Sequence, residues 1–199
     1  MFPTTVWTTV RQAAGDDAQA RDLVVRTYRA PVLGYLRAKG ASPDEAEDVC
    51  HEVFLALFAK GVLGRADARR GSFRALLATV TRRALQHTRR QRREEPRDDL
   101  EPSDGAPEDA DESFDREWVL ALVERAFERL DAEGSPYSQV VRAHLAGEPQ
   151  DRNRLWIARR KLQAWIRHEV ALCCSSPREI EDELAHLARY MRPIAAERR

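Results

Sequence analysis

Seven polar and cationic residues between positions 79 and 93 recur at the spacing that places side chains on one face of an α-helix. They are Thr79, Arg82, Arg83, Gln86, Arg89, Arg90 and Arg93. Guanidinium groups in such a row can neutralise several backbone phosphates, while a threonine hydroxyl and a glutamine amide can reach base edges. Because no glutamate is interleaved to relieve repulsion between the arginines, this basic row favours nucleic-acid binding over an ordinary solvated face.

A second polar row lies on the helix predicted just upstream, and it is acidic. Its members are Asp44, Glu47, Asp48, His51 and Glu52, with Leu55 among them. The spacing alone is typical of a solvated helix face. A leucine on the polar side of a long helix also suits a docking site for another protein, so both interpretations of this acidic row stay open.

The cysteine and histidine residues do not form a pattern typical of catalysis or metal binding. Cys50, beside His51, falls on an apolar stripe, and His168 with Cys173 and Cys174 lacks the spacing and the four converging ligands of a zinc site. The chain also has no phosphate-binding glycine loop and no hydrolase motif. We therefore expect no enzyme activity, no catalytic residue, no metal site and no cofactor.

Dense helix signals and nearly absent strand signals predict an all-α fold. Short helices are expected over residues 4–13, 17–28 and 31–39, the last beginning with Pro31 in its first turn and ending at Gly40. Together they form the part of the chain that precedes the acidic row.

The helix that carries the acidic row has a clear beginning and end. Ser42 and Glu45 form a capping box, Pro43 suits the first turn, and Gly61 stops the helix. Its apolar residues fall at helical spacing and predict one buried stripe, made of Ala46, Val49, Cys50, Val53, Phe54, Leu57 and Phe58.

The helix that carries the basic row is expected from Phe73 to about Arg93. Its buried stripe should consist of Phe73, Leu76, Leu77, Val80, Ala84 and Leu85. The basic row then projects from the opposite side of this helix.

A formal net charge of zero over 199 residues conceals two opposite blocks. Six of the twelve residues in 82–93 are arginine, whereas twelve residues in 94–117 are acidic. The acidic block has almost no apolar content, so residues 94–112 are predicted to be a disordered linker. It serves either as a solvated spacer or as a shield for the basic helix, and it separates a domain over 1–93 from a domain over 113–199.

The cellular compartment follows from the cysteines and from hydropathy. Three cysteines cannot pair evenly, and adjacent Cys173 and Cys174 are poorly placed to bridge each other, which indicates a reducing compartment. No apolar run approaches the roughly 20 residues that span a bilayer, and the N-terminus lacks the pattern of a signal peptide. We expect a cytoplasmic protein without membrane insertion.

The segments "EAEDVCHEVF" and "FRALLATVTRRAL" resemble region 2 of extracytoplasmic-function sigma factors, the small promoter-recognition subunits of bacterial RNA polymerase, over residues 4–93. His51 stands where that family usually has glutamine, and Leu76 where it usually has tryptophan. The resemblance implies that the acidic row docks on the clamp of core RNA polymerase. It also implies that the basic helix and the preceding loop bind promoter DNA and help to melt the minus-10 element.

The same resemblance assigns further roles. Melting requires an unpaired base to be captured outside the stack, and the loop residues Asp67, Arg69, Arg70 and Ser72 are placed for such a pocket, with Arg74 added to the DNA-binding set. The family is commonly held inactive by an anti-sigma or other regulatory protein, so we expect such a partner. A different interpretation is a sigma-like adaptor that no longer initiates transcription.

The C-terminal part resembles region 4 of that family only incompletely. Residues 118–145 are similar to its first two helices, and "NRLWIARRKLQAWI" is similar to its last, but only "EPQDR" separates Gly147 from Asn153. A helix-turn-helix needs a supporting helix and a turn in this place. We expect that the helix over 150–171 lacks the geometry for reading bases.

An additional amphipathic helix follows. Ser176 and Glu179 form a capping box, and an apolar stripe consists of Ile180, Leu184, Leu187 and Met191. The stripe either packs on the preceding helix, which would make Trp156 and Trp165 core residues, or contacts a partner. Five cations on the preceding helix should then give only sequence-independent phosphate attraction: Arg152, Arg154, Arg159, Arg160 and Lys161.

Overall fold

The computed structural model describes residues 12–13, 17–59, 73–94, 109–174 and 176–196. Every regular element in these ranges is an α-helix, so the expected all-α fold is confirmed. The helices are α1 (Ala18–Ala38), α2 (Pro43–Phe58), α3 (Phe73–Glu94), α4 (Asp109–Ala132), α5 (Tyr137–Leu145), α6 (Arg152–Leu172) and α7 (Pro177–Ala196). Within the described residues, none of them combines the length and hydropathy that a membrane crossing requires.

The chain divides into two compact units, Phe2–Trp118 and Val119–Arg199. The division falls inside α4, so residues 113–118 belong to the first unit although the sequence placed them in the second domain. The linker was predicted over residues 94–112, but α4 already begins at Asp109. Residues 95–108 lie outside the described part. Acidic side chains near a helix N-terminus interact favourably with the helix dipole, which accounts for this earlier start. The roles expected of the two domains remain predictions.

α1 is one long helix where the sequence predicted two. α1 runs through Pro31 without a break. A proline inside a helix costs about 3 kcal/mol because it lacks the N–H donor and crowds the preceding turn. Tyr28, Val32 and Leu36 continue one buried face on both sides of the proline, and this packing offsets that cost. The expected helix over 4–13 lies outside the described residues except for its last two positions, which are helical.

The beginning and the buried face of α2 agree with the prediction. The Ser42 hydroxyl accepts a hydrogen bond from the Glu45 amide at 3.2 Å, and Pro43 occupies the first turn. The apolar stripe is buried from Ala46 to Leu57, while Phe58 is half-buried. The helix ends at Phe58, and Gly61 lies outside the described residues.

α3 packs through a continuous apolar face that crosses α1 and α2. Four of the six predicted residues are buried: Phe73, Leu77, Val80 and Leu85. Leu76 and Ala84 are only half-buried, whereas Ala78 and Thr81 are buried in addition. The Thr81 hydroxyl donates to the Leu77 carbonyl at 2.8 Å, which removes the cost of burying this polar group.

The first residues of α4 complete the aromatic core of the first unit. The Trp118 ring stacks on Tyr28 with centroids 5.2 Å apart, and Phe114 meets the edge of Tyr35 at 5.6 Å. Trp118 and Phe114 are each 1% exposed. Such aromatic contacts add roughly 0.5–1.5 kcal/mol each beyond the burial of apolar area.

The second unit has a small apolar core and a larger polar network. The core joins α4, α5 and α6 through Phe127, Val140, Val141 and Ala158. Residues 146–151 connect α5 to α6 without a further helix, as the length of this segment predicted. Gly147 adopts φ +87°, a left-handed conformation that ends α5, and Asp151 caps α6 by accepting from the Arg154 amide at 2.8 Å.

The network that fastens α6 to α4 is centred on a buried carboxylate. Glu169 is 2% exposed and accepts hydrogen bonds from Arg125 and Arg129. Further along the interface, Glu133 accepts from the Lys161 ammonium and from the Trp165 indole N–H, each at 2.6 Å. These charged contacts hold α6 against α4, whereas apolar side chains hold α3 in the first unit.

The expectation for the two tryptophans of α6 was wrong for one of them. Trp156 is 56% exposed, with the Arg160 guanidinium 5.0 Å from its ring centroid, whereas Trp165 is half-buried. α6 already buries Ala158 against α5, and Trp156 lies outside that face. α7 does pack on α6, and Leu187 is the fully buried member of its apolar stripe.

Candidate nucleic-acid interface

The basic row on α3 is largely open to solvent. Arg83, Gln86, Arg89 and Arg90 are exposed, and Arg82 is half-buried. Thr79 is half-buried too, and its hydroxyl donates to the Ala75 carbonyl at 2.9 Å. The side chain of Arg93 lies outside the described part of the structure. The arrangement offers several guanidinium groups along one helix, which is the chemistry that neutralises a phosphate backbone.

Arg74 differs from the rest of the predicted DNA-binding set. It forms an ion pair with Asp115 of α4, and the two side chains are only 11% and 3% exposed. A charge held this way stabilises the first unit and is not displayed beside the basic row. The loop residues Asp67, Arg69, Arg70 and Ser72 lie outside the described residues.

The acidic row on α2 is exposed as predicted, with one exception. Asp44, Asp48, His51 and Glu52 are exposed, and so is Leu55 at 58%. The exception is Glu47, which is half-buried and paired with Arg29 of α1. This surface therefore combines carboxylates with one exposed apolar side chain near the C-terminal end of α2.

A groove between α1 and α2 borders the acidic row. Its volume is about 250 Å³, and its apolar lining includes Val25, Phe54, Leu55 and Phe58. Cys50 also lines it, and burial raises the pKa of this thiol to about 11. A thiol that stays protonated is a poor nucleophile and metal ligand. Among the described residues, no group of His, Cys, Asp or Glu is arranged to hold a metal ion.

α3 contacts α2 and the end of α1 through hydrogen bonds that the sequence did not reveal. The Thr88 hydroxyl of α3 lies 3.4 Å from a Glu52 carboxylate oxygen of α2. The Arg89 guanidinium donates to the Lys39 carbonyl at 2.5 Å. These partners are 36 and 50 positions apart, so a pattern within one helix carries no signal for them.

Comparison with protein families gives a match over the helices that carry both rows. Residues 24–95 match the model of sigma-70 region 2. This part of the chain is similar to sigma-70 region 2. Comparison with curated proteins and with solved structures gave no match.

The match supports a coarse function for this part of the chain. Sigma-70 region 2 belongs to a family of transcription factors and not of enzymes, and it implies interaction with core RNA polymerase and with promoter DNA. The match includes α2 and α3 completely and α1 from Val24 onward. The acidic row and the basic row therefore both lie within the matched domain.

Proposed function

We propose that the protein is a transcription initiation factor of the extracytoplasmic-function sigma type, acting in the cytoplasm. It binds the clamp of core RNA polymerase through the acidic row of α2 and directs the polymerase to promoters. The basic row of α3 contacts promoter DNA and helps to open the minus-10 element. An anti-sigma or other regulatory protein controls access to these surfaces.

The observation that carries this proposal is the separation of two oppositely charged surfaces within one matched domain. Asp48 and Glu52 are exposed on α2, whereas Arg83 and Arg90 are exposed on α3. A polyanion such as DNA is attracted to the second surface and repelled by the first. A single domain can thus hold a protein partner and DNA at the same time without competition between them.

The basic row supplies a physical route to strand opening. Opening the duplex requires that a separated strand be held while its bases remain unstacked. Exposed arginines on one helix face provide a cationic path for that strand. In this proposal the loop before α3, with Asp67, Arg69, Arg70 and Ser72, forms the pocket for an unpaired base.

A second candidate function is a sigma-like adaptor that binds polymerase or a regulator but does not initiate transcription. Two observations favour it. No helix lies between α5 and α6, where a complete helix-turn-helix would place its supporting helix if α6 were the reading helix. Arg74, moreover, is held in a buried ion pair with Asp115.

In vitro transcription distinguishes the two functions. The full chain is combined with core polymerase from the same cell, and genomic fragments serve as templates. Transcripts that depend on the added protein support the initiation factor. Stable binding to polymerase without transcripts supports the adaptor.

Variants of the two rows test the assignment of surfaces. Asp48→Lys with Glu52→Lys should abolish polymerase binding and leave DNA binding intact. The double variant Arg83→Ala, Arg90→Ala should weaken DNA binding and retain polymerase binding. The slope of log affinity against log salt should fall by about two, one for each phosphate contact that is lost. The measurements are polymerase pull-down and fluorescence anisotropy with labelled DNA. Loss of the same activity in both variants, with helicity unchanged by circular dichroism, would show that the assignment is wrong.

A further inference from the structure

The C-terminal end of α1 lies directly beside the basic row of α3. The Arg89 side chain of that row donates from Nη2 to the main-chain carbonyl of Lys39, the residue that caps α1. The negative end of the α1 dipole is thereby covered by a guanidinium group. The surface next to the basic row is therefore the last turn of α1 and the turn that follows it.

This surface carries two more cations. Arg37 is exposed in the last turn of α1, and Lys39 is half-buried with its ammonium 5.8 Å from the centroid of the Tyr35 ring. Two main-chain carbonyls in the last turn of α1 accept hydrogen bonds from the turn that follows: Leu36 from Ala41 at 3.1 Å and Arg37 from Gly40 at 2.9 Å. The turn therefore presents positive side chains beside main-chain oxygens that already have partners.

The turn is also sterically open. Gly40 has φ +83°, and a Cβ placed there would meet no atom within 4 Å. The main chain at Gly40 therefore leaves room for a phosphate to approach the turn, and Arg37 is exposed beside it. The acidic row begins only at Asp44, on the first turn of α2, so the turn lies where the basic surface gives way to the acidic one.

We propose that residues 37–40 extend the DNA-binding surface of α3, with Arg37 and Lys39 contacting backbone phosphates. This inference rests on the proposed function, because it requires that the basic row bind DNA. Phosphate contacts from two elements fix the direction of a strand across the protein better than contacts from one helix alone. The Arg89–Lys39 bond holds the two elements in register.

The salt dependence of DNA binding by the full chain tests this proposal. The probe is a fluorescein-labelled DNA duplex with an unpaired central segment, and the apparent affinity is measured over a series of KCl concentrations. Arg37→Ala and Lys39→Ala should each lower the slope of log affinity against log salt by about one, while Arg37→Lys retains it. Circular dichroism checks that the variants are folded.

Arg26→Ala is the matched control. Arg26 is on the same helix, its side chain is 77% exposed, and it forms an ion pair with Asp22 at 2.6 Å. Arg26→Ala changes the net charge by the same amount as Arg37→Ala but should leave the slope of log affinity against log salt unchanged. Equal slopes for Arg37→Ala, Arg26→Ala and the unmodified protein would overturn this proposal.

The basic row provides the comparison that separates the two proposals. Where Arg83→Ala with Arg90→Ala lowers the slope and Arg37→Ala does not, the inference about the turn fails and the proposed function stands. Where the double variant keeps the full slope, or the unmodified protein does not bind the probe, the DNA-binding role of α3 fails, and the inference fails with it.

Discussion

α3 and α6 are both arginine-rich helices, yet different interactions hold them in the fold. α3 is held by buried apolar residues such as Phe73, Leu77 and Leu85, so its exposed cations contribute little to packing. α6 buries Ala158, Val170 and the carboxylate of Glu169. Arg125 and Arg129 of α4 meet this carboxylate, and Lys161 of α6 meets Glu133, so these pairs hold α6 against α4.

The difference teaches how to interpret a cationic helix. Exposed charges on a helix with an apolar anchor can be used for binding, because removing them leaves the fold intact. Charges that pair with a buried carboxylate are required for the fold itself. Arginine content alone therefore does not distinguish a binding surface from a structural network.

The largest expected effect concerns the buried carboxylate. Glu169→Ala leaves Arg125 and Arg129 without their common acceptor and should reduce the free energy of unfolding by about 3 kcal/mol, at the lower end for a broken buried pair because Arg129 is partly exposed. Arg83→Ala on α3 should change it by less than about 0.5 kcal/mol. Urea denaturation followed by circular dichroism measures both.

The control for this prediction is another glutamate. Glu128 is exposed on α4, and Glu128→Ala should behave like the α3 variant. If Glu169→Ala and Arg83→Ala reduced the free energy of unfolding by the same amount, the contrast between a helix held by charges and a helix held by apolar packing would not exist.

A smaller effect should appear as pH dependence. Hydrogen bonds from Lys161 and Trp165 lower the pKa of Glu133 below its usual value of 4.5. The unfolded chain therefore takes up this proton at a higher pH than the folded chain, so the stabilisation is complete above about pH 4.5 and is lost as the pH falls through the folded pKa. Glu133→Gln should lose less stability on acidification than the unmodified protein.

The measurement for this effect is the free energy of unfolding at several acidic pH values. Glu128→Gln, which changes an exposed glutamate of α4, should keep the pH dependence of the unmodified protein. An identical pH dependence for Glu133→Gln would mean that the contacts with Lys161 and Trp165 do not persist in solution.

The smallest expected effect is at the exposed tryptophan. Trp156→Ala should change the free energy of unfolding by less than about 0.5 kcal/mol, because the ring contacts chiefly Arg160 at the surface. Trp165→Ala should cost about 2 kcal/mol, since it removes a half-buried ring and its bond to Glu133. Equal losses would show that Trp156 belongs to a core after all.

The role of α6 in promoter choice can be tested separately. Scrambling the minus-35 region of a responsive promoter, with the minus-10 region unchanged, should leave transcription largely intact. A collapse that compensating changes at Arg154 or Arg159 restore would show that α6 does read bases. That result would make α6 a second binding helix and remove the contrast with α3.

Sequence patterns were sufficient where one helix contains all the information. The stripe of α2 and its Ser42 cap could be predicted because apolar spacing and capping are local. The exposed arginines of α3 followed from the same periodicity. The resemblance of this part to sigma region 2 is likewise supported, at the level of sigma-70 region 2, by the match over residues 24–95.

The errors arose where distant packing decides the outcome. Pro31 looked like a helix start, but burial on both sides of it keeps α1 continuous. Trp156 looked like core, yet its helix buries other positions. The DNA-binding role of Arg74 stays a prediction, but its ion pair with Asp115, 41 residues away, could not be predicted from the sequence.

The aromatic contact between α4 and α1 has a practical consequence for anyone who shortens this protein. A fragment that stopped at residue 93 would contain every matched helix, but it would leave Tyr28 and Tyr35 facing water instead of Trp118 and Phe114. A newly uncovered apolar patch of this kind favours self-association. A soluble fragment of the first unit should therefore retain the chain through Trp118.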